Sequence, residues 1–393
     1  MPERLPATTR IPLSLLLFLA LAILSSSAVQ AASSNPPVPD GVDERTPTSQ
    51  AALREYRYAW GPEYFPKEIN PLTGLPADEP QLLERRPIAI KVTNYPRSVR
   101  PQWGLSLADH VYEYYIGDGM SRFVGIYYGK DASRVGPVRS ARLFDEHLIR
   151  MYRAIFVFGW ADDPVLEFLV QPDLRRFLIV ERADNCPPLC RIGPRGAYNN
   201  LFADTSQIAA ELQKRRTNND RQELNGLRFE AETPRSGHPA AQISIRFSSI
   251  SYHRWHYDPT RGRYLRWQEI EDQVQGEPVC APLSDSLTGS QLSAANIVIL
   301  LLPHRYHLRF SATDIIDQPF EGSGYGYALR DGQLYPIIWS HDQVDELPRL
   351  KLPNGRDYPL KPGNVWFEVL SDISTLRADG ANAWYFEFVL PKE

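Results

Sequence analysis

The chain has 393 residues and a formal net charge of −4, with 43 Lys and Arg against 47 Asp and Glu. A mildly acidic whole argues against general nucleic-acid binding, so no nucleic-acid partner is expected. The length is more than one hydrophobic core usually serves, which predicts two folded domains.

Residues 1–31 read as a secretory signal peptide. Arg4 and Arg10 precede an apolar run from Ile11 to Ile23, and small residues lead to a cleavage position after Ala31. The run is interrupted by Ser25-Ser26-Ser27 and falls short of the roughly 20 apolar residues of a membrane span. The expectation is an exported protein, extracellular or associated with the cell envelope, with no integral membrane span after cleavage. No cysteine stands near the cleavage position, so no lipid anchor is expected there. Residues 32–55 form a flexible linker, since Pro, Ser, Thr and Asp dominate its first part and large apolar groups are few.

The predicted N-terminal domain covers 68–216. Ile88, Ile90 and Val92 alternate with Ala89, Lys91 and Thr93, the pattern of a half-buried strand. Strands over 111–116 and 122–128 flank Gly117-Asp118-Gly119-Met120, a hairpin turn. A helix is predicted from Ser140, then a strand over 155–160, a helix over 164–170, a strand over 177–180 and a helix over 206–216. The hairpin is antiparallel, so this is an α/β-type domain with a mixed sheet. Residues 217–240 are rich in turn formers and read as an interdomain linker. Over 241–393 almost no helical period remains. Strands at 243–247, 252–257, 264–267, 297–302, 325–329, 334–339, 365–369 and 384–389 predict a mainly antiparallel β domain. The fold class is therefore α+β.

The stretch from Ser133 to Arg142 holds Arg134, Arg139 and Arg142 and no acid. With Ser140 as N-cap, the predicted helix would present unpaired N–H groups beside Arg139 and Arg142, a candidate anion seat. Arg142 in a first helical turn opposes the helix dipole and needs a negative partner, either a ligand or a carboxylate of the same chain. Arg122 joins the candidate anion-binding set, and Asp109 and Glu113 are the candidate carboxylate partners. Arg100 and His147 are further polar candidates. Ser140 lacks a Gly-x-Ser-x-Gly setting, so no nucleophile is assigned and the catalytic set is left unassigned.

Cys186 and Cys190 enclose two prolines and predict a local disulfide, with Cys280 left over. Two thiolates at this spacing have no second ligand pair, and His253 and His256, or His304 and His307, would point to opposite faces of a strand. No metal site is assigned, and the lack of a glycine-rich phosphate loop leaves no cofactor expected. Tyr252, Trp255, Tyr257, Tyr264 and Trp267 cluster around one hairpin. Their default role is packing, and a sugar-stacking platform is the other reading.

Several ordered motifs then carry a resemblance. They are Asn70-Pro-Leu-Thr-Gly-Leu75, the strand from Pro87 to Asn94, Gly104-Leu-Ser-Leu-Ala-Asp109, Val111-Tyr-Glu113, Ser121-Arg-Phe123 and Val135-Gly-Pro-Val-Arg-Ser-Ala-Arg142. In the second half Tyr257-Asp258, Tyr264-Leu-Arg266, Ala295-Asn-Ile-Val298, Gly324-Tyr-Gly326, Leu360-Lys-Pro-Gly363 and Val365-Trp366 follow in order. Over roughly 68–371 the chain resembles the YerB-like family, a two-domain bacterial family described as lipoproteins. The resemblance implies an extracytoplasmic protein and supplies no activity. It also implies a lipidation cysteine, which this chain lacks, and a His-Asn pair where this chain has Asn199-Asn200, so no histidine acid–base role is carried over. The expected function is a binding or scaffolding module with an arginine-lined anion site and a cell-wall or anionic glycan ligand. The competing expectation is an envelope enzyme acting on a phosphorylated or carboxylated cell-wall precursor, with Asp109 or Glu113 as base. Oligomeric state is not fixed by these features.

Overall fold

Strand β1 (Ile88–Thr93) shows how the architecture departs from a half-buried sheet. All six of its residues are buried, Lys91 included, because layers cover both faces of the sheet it belongs to. The structure is a computed structural model and describes residues 59–391 apart from 183, 194–196 and 310–313. The expected signal peptide, 1–31, and flexible linker, 32–55, lie outside the described residues.

After β1 come the hairpin strands β2 (His110–Gly117) and β3 (Met120–Tyr127), helix α1 (Asp145–Met151), β4 (Ile155–Phe158), helix α2 (Asp163–Leu169), β5 (Leu178–Val180) and helix α3 (Ile208–Lys214). The second half supplies β6 (Gln242–Arg246), β7 (Tyr252–Asp258), β8 (Arg263–Glu269), β9 (Asn296–Leu302), β10 (Gly322–Arg330), β11 (Gln333–His341), β12 (Val365–Ser371) and β13 (Ala383–Glu387). These strands follow the period-2 patterning of the sequence closely, since each was marked by alternating or continuous apolar residues between turn formers.

The main sheet has 11 strands, and its longest path includes β11-β10-β9-β12-β2-β3-β1-β4-β5. Strand β12 lies parallel to both β9 and β2, with Val365 opposite His110 and Glu368 opposite Glu113. The fold is α+β with mixed sheets, and the strands of the second half divide between two of them. A strand such as β12, buried at every position, needs a neighbour on each edge and a layer on each face. The first half supplies one of those neighbours. The second sheet has seven strands, among them β8-β7-β6-β13, and β6 pairs β13 in parallel. The described residues all belong to one compact unit.

Two cores result. On one face of the main sheet Tyr112, Tyr114 and Phe367 pack with Phe144, Leu148 and Tyr152 of the α1 region, and the Tyr112 and Phe367 rings stack at 4.4 Å. On the other face Ile88, Ile90, Val92 and Trp366 pack against Ile243, Trp255 and Tyr264 of the second sheet. The connecting stretch 217–240 contributes Leu224, Leu227 and Phe229 to the first core. Trp255 and Tyr264 are thus packing groups, fully buried. Among the described residues no helix is long and apolar enough to cross a membrane.

Candidate functional site

The arginine loop enters the main sheet as an extended segment. Thr93 N donates to Pro137 O, Arg139 N to Lys91 O, Gly159 N to Arg139 O and Ala141 N to Trp160 O, all within 3.1 Å. The segment thus lies between the carboxyl ends of β1 and β4, with Val138 N donating to Leu201 O on another side at 2.7 Å. Gly136 admits this path: its φ is +149°, and an added Cβ would stand 2.8 Å from Val138 N and 2.9 Å from Leu201 O. The predicted helix start at Ser140 is corrected by this geometry. Helix α1 begins at Asp145, whose Oδ2 accepts a 2.7 Å bond from Arg142 N. Sheet-type hydrogen bonds claim the backbone of 137–141, so helical spacing of the apolar residues does not set the boundary. The candidate site therefore draws on guanidinium groups and not on a helix terminus at Ser140.

Three of the four predicted arginines come together. Arg122 Nη1 donates to Ser140 O at 2.7 Å, and no carboxylate among the described residues pairs with it. Burial, then Arg142 and Arg139, push its guanidinium down to about 9. Arg139 is half-buried and, among the described residues, has no carboxylate partner and no hydrogen-bond partner for its buried Nε. Its guanidinium is also shifted down, by burial first and by Arg142 and Arg191 among its neighbours. Arg142 Nη1 donates to Ala141 O at 2.8 Å and lies 3.7 Å from Asp162 Oδ2. Beneath them, on the same sheet face, Lys91 Nζ is fully buried 3.1 Å from Asp145 Oδ1, with the Tyr114 hydroxyl bonded to both. Burial pushes this amine down to about 7. Arg134 does not join the group. Its guanidinium sits 4.7 Å over the Trp103 ring.

Asp109 and Glu113, the expected carboxylate partners, are committed elsewhere. Asp109 accepts from Asn70 Nδ2 at 2.9 Å, Tyr128 N at 2.6 Å and Gly129 N at 2.9 Å, a buried turn brace. Glu113 faces the second sheet, where its Oε2 accepts from Arg266 Nη2 at 2.7 Å. Arg100 is likewise removed from the loop, paired with Glu269 at 2.7 Å. His147 packs edge-on to Phe320, and burial pushes its imidazole down to about 4, so it is neutral in the range where histidines usually titrate.

Beside the arginines lies a cleft of about 130 Å³ lined by Arg139, Ser140, Trp160, Glu181, Arg191 and Asn199, among others. Gly159 and Trp160 follow β4 and Glu181 follows β5, two parallel strands. This is the carboxyl edge at which open α/β sheets place ligands. Arg191 is held by both Glu181 oxygens and by Asn200 Oδ1 at 2.7 Å. Cys190, its neighbour, forms the Cys186–Cys190 disulfide, and Cys280 is free. Trp160, Glu181 and Arg191 had no signal in the sequence, because they reach the cleft from two connections, one after β4 and one after β5, while Asn199 was marked only as the place of the family's His-Asn pair.

A second polar group was also invisible there. Between the sheets, Glu113, His253 and Glu368 place ligand-type atoms within 4.8 Å of one another, all fully buried. Arg266 lies 2.7 Å from Glu113 and 3.4 Å from Glu368, so a cation already occupies the position from which a metal ion would neutralise the carboxylates. His253 Nε2 and Trp255 Nε1 lie 2.9 and 3.0 Å from Glu368 Oε1. Burial raises Glu368 to about 7 and lowers His253 to about 3, so the imidazole is neutral. This group is an ion-pair network joining the two sheets.

The descriptions matched by the chain divide it in two: an N-terminal domain described as "Protein of unknown function (DUF3048)" matches 72–218, and the C-terminal domain of the same description matches 243–367. A Bacillus subtilis (strain 168) protein titled "Putative lipoprotein YerB" is 27% identical over 323 residues, covering 79% of this chain and 89% of its own length. The chain belongs to the YerB-like family. The crystal structure of the YerB protein from Bacillus subtilis shares its fold, with a TM-score of 0.64 at 23% identity, covering 78% of this chain and 97% of that one. The N-terminal family region of this YerB-like protein holds the whole arginine cluster and its cleft, while Arg266 and His253 of the inter-sheet network lie in the C-terminal one.

Proposed function

We propose that this YerB-like protein is an exported, envelope-associated binding module that seats a phosphate- or carboxylate-bearing ligand at Arg122, Arg139, Ser140 and Arg142. The observation that carries the reading is electrostatic. Three guanidinium groups gather around one short segment, two of them without a carboxylate partner among the described residues, and the two carboxylates expected to neutralise them point elsewhere. Like charges held together in a partly buried site are costly unless an anion arrives. Export is supported by the signal-like segment at 1–31, by the disulfide, which suits an oxidising compartment, and by the lipoprotein title of the Bacillus relative. The enzymatic alternative, turnover of a phosphorylated or carboxylated cell-wall precursor, loses its named bases, since Asp109 and Glu113 are buried and bonded away from the cleft.

The test compares thermal melts of the wild type and Arg139→Ala in phosphate and in chloride at matched ionic strength. A ligand that binds the native state alone stabilises it by about 2.7 kcal/mol at a hundredfold excess over Kd. The expected result is that phosphate stabilises the wild type and the variant loses this response. In chloride Arg139→Ala is expected to cost under about 0.5 kcal/mol, because no partner charge is left behind. An equal phosphate response in both proteins refutes the anion seat.

A further inference from the structure

Arg139 shares its cleft with two large aromatic side chains that the fold leaves in water. Trp160 is 58% exposed and Tyr198 83%, both line the same small cleft, and the Arg139 guanidinium lies 5.9 Å from the Tyr198 ring centre. Neither ring is needed for the core, and each offers apolar surface whose burial is still to be gained. A third feature is polar. Asn199 Oδ1 is a buried acceptor with no hydrogen-bond partner among the described residues, on a backbone in the left-handed region at φ 62°. Asparagine tolerates that region better than most residues, so the backbone holds the amide in place at little cost. Arg139 Nε, in the same lining, is a buried donor with no partner among the described residues.

The cleft thus asks for three things from one small ligand: an anion or acceptor for Arg139, a hydroxyl-type donor for Asn199 Oδ1, and an apolar face for Trp160 and Tyr198. An inorganic anion supplies no apolar face. A flat aromatic carboxylate supplies the first and third and leaves Asn199 unpaired, which is the expensive error for a buried acceptor. A pyranose carrying a carboxylate or phosphate supplies all three, because its axial C–H face is apolar and its ring hydroxyls donate. At about 130 Å³ the cavity suits one monosaccharide unit and not a drug-sized ligand, whose pockets begin at roughly 300 Å³. We infer that the cleft between the carboxyl ends of β4 and β5 is a subsite for a single acidic sugar, its anion on Arg139, its ring against Trp160 and Tyr198, and a hydroxyl on Asn199 Oδ1. This inference rests on the arginine reading above and adds the specificity residues to it.

The test uses the full exported chain and isothermal titration with two matched pairs of probes, glucuronate against acetate and glucose 1-phosphate against inorganic phosphate, with glucose as the neutral control. In the wild type at least one sugar anion is expected to bind about tenfold or more tightly than its bare anion, and glucose not measurably. Trp160→Ala and Tyr198→Ala are both at exposed positions and should fold normally. Each is expected to bring that preference down toward unity while leaving the response to bare phosphate intact, whereas Arg139→Ala removes binding of both. If the bare anions bind and neither sugar anion is preferred, the acidic-sugar assignment falls and the anion seat stands. If no anion binds, the anion seat itself falls and the sugar assignment with it. A preference that survives both aromatic substitutions overturns the stacking roles.

Discussion

Replacing Glu368 with Gln isolates the electrostatics of the inter-sheet network. Glutamine keeps an oxygen opposite His253 Nε2 and Trp255 Nε1, removes the charge, and puts an amide NH2 in place of Oε2, which has no hydrogen-bond partner among the described residues. Burial lifts the Glu368 carboxyl from its ordinary 4.5 to about 7, with Arg266 opposing the rise. An acid whose pKa is raised on folding binds a proton more readily in the native state than in the unfolded chain. Its contribution to stability is therefore full below about 4.5, falls as pH rises through that window, and is lost above about 7. At about 1.4 kcal/mol per pH unit, integration from about pH 5 to about pH 8 comes to about 2.5 kcal/mol. Glu368→Gln should gain that amount on the wild type over this range, whatever constant offset the substitution carries. Urea unfolding followed by tryptophan emission reads it directly, since Trp255 touches the carboxylate and Trp366 packs on Trp255 at 5.0 Å. A stability difference between the two proteins that stays flat from pH 5 to pH 8, or that moves toward the wild type as pH rises, refutes the assignment of a protonatable carboxyl in this network.

The remaining predictions concern the cysteines and the connection between halves. Unfolded, non-reduced protein is expected to show one reactive thiol, Cys280, and its native reaction with a thiolate-selective reagent at about pH 8 should be slow, because burial pushes the thiol up to about 11; three titrated thiols would show the disulfide to be absent. Limited proteolysis within 217–240 is expected at the exposed part around 231–238, and the two fragments should elute together under native conditions, because β12 of the second half pairs with β2 of the first; separate elution of folded halves would contradict the shared sheet.

Much of this protein is decided locally. The alternation over Ile88–Val92, the glycine turn between β2 and β3, and the runs that become β7 to β12 are set by side-chain period and turn chemistry, so they are readable without a partner. The cysteine pair is equally local, five residues of proline-restricted chain. Arg139, Ser140 and Arg142 stand within four residues, which made most of the candidate anion site visible as composition alone. What the chain could not reveal by itself depends on which strands become neighbours. Glu113 meets Glu368 only because β2 and β12 align in parallel across 255 positions of sequence, and Arg266 meets both only because a second sheet packs on that face. The same long-range pairing pulled residues 137–141 into the sheet and moved the start of α1 to Asp145. It also brought Trp160, after β4, to one cleft with Glu181, Arg191 and Asn199 of the connection after β5. Local periodicity sets which backbone conformation a segment prefers. Burial of both faces of the main sheet, a property of the whole chain, sets what each segment touches.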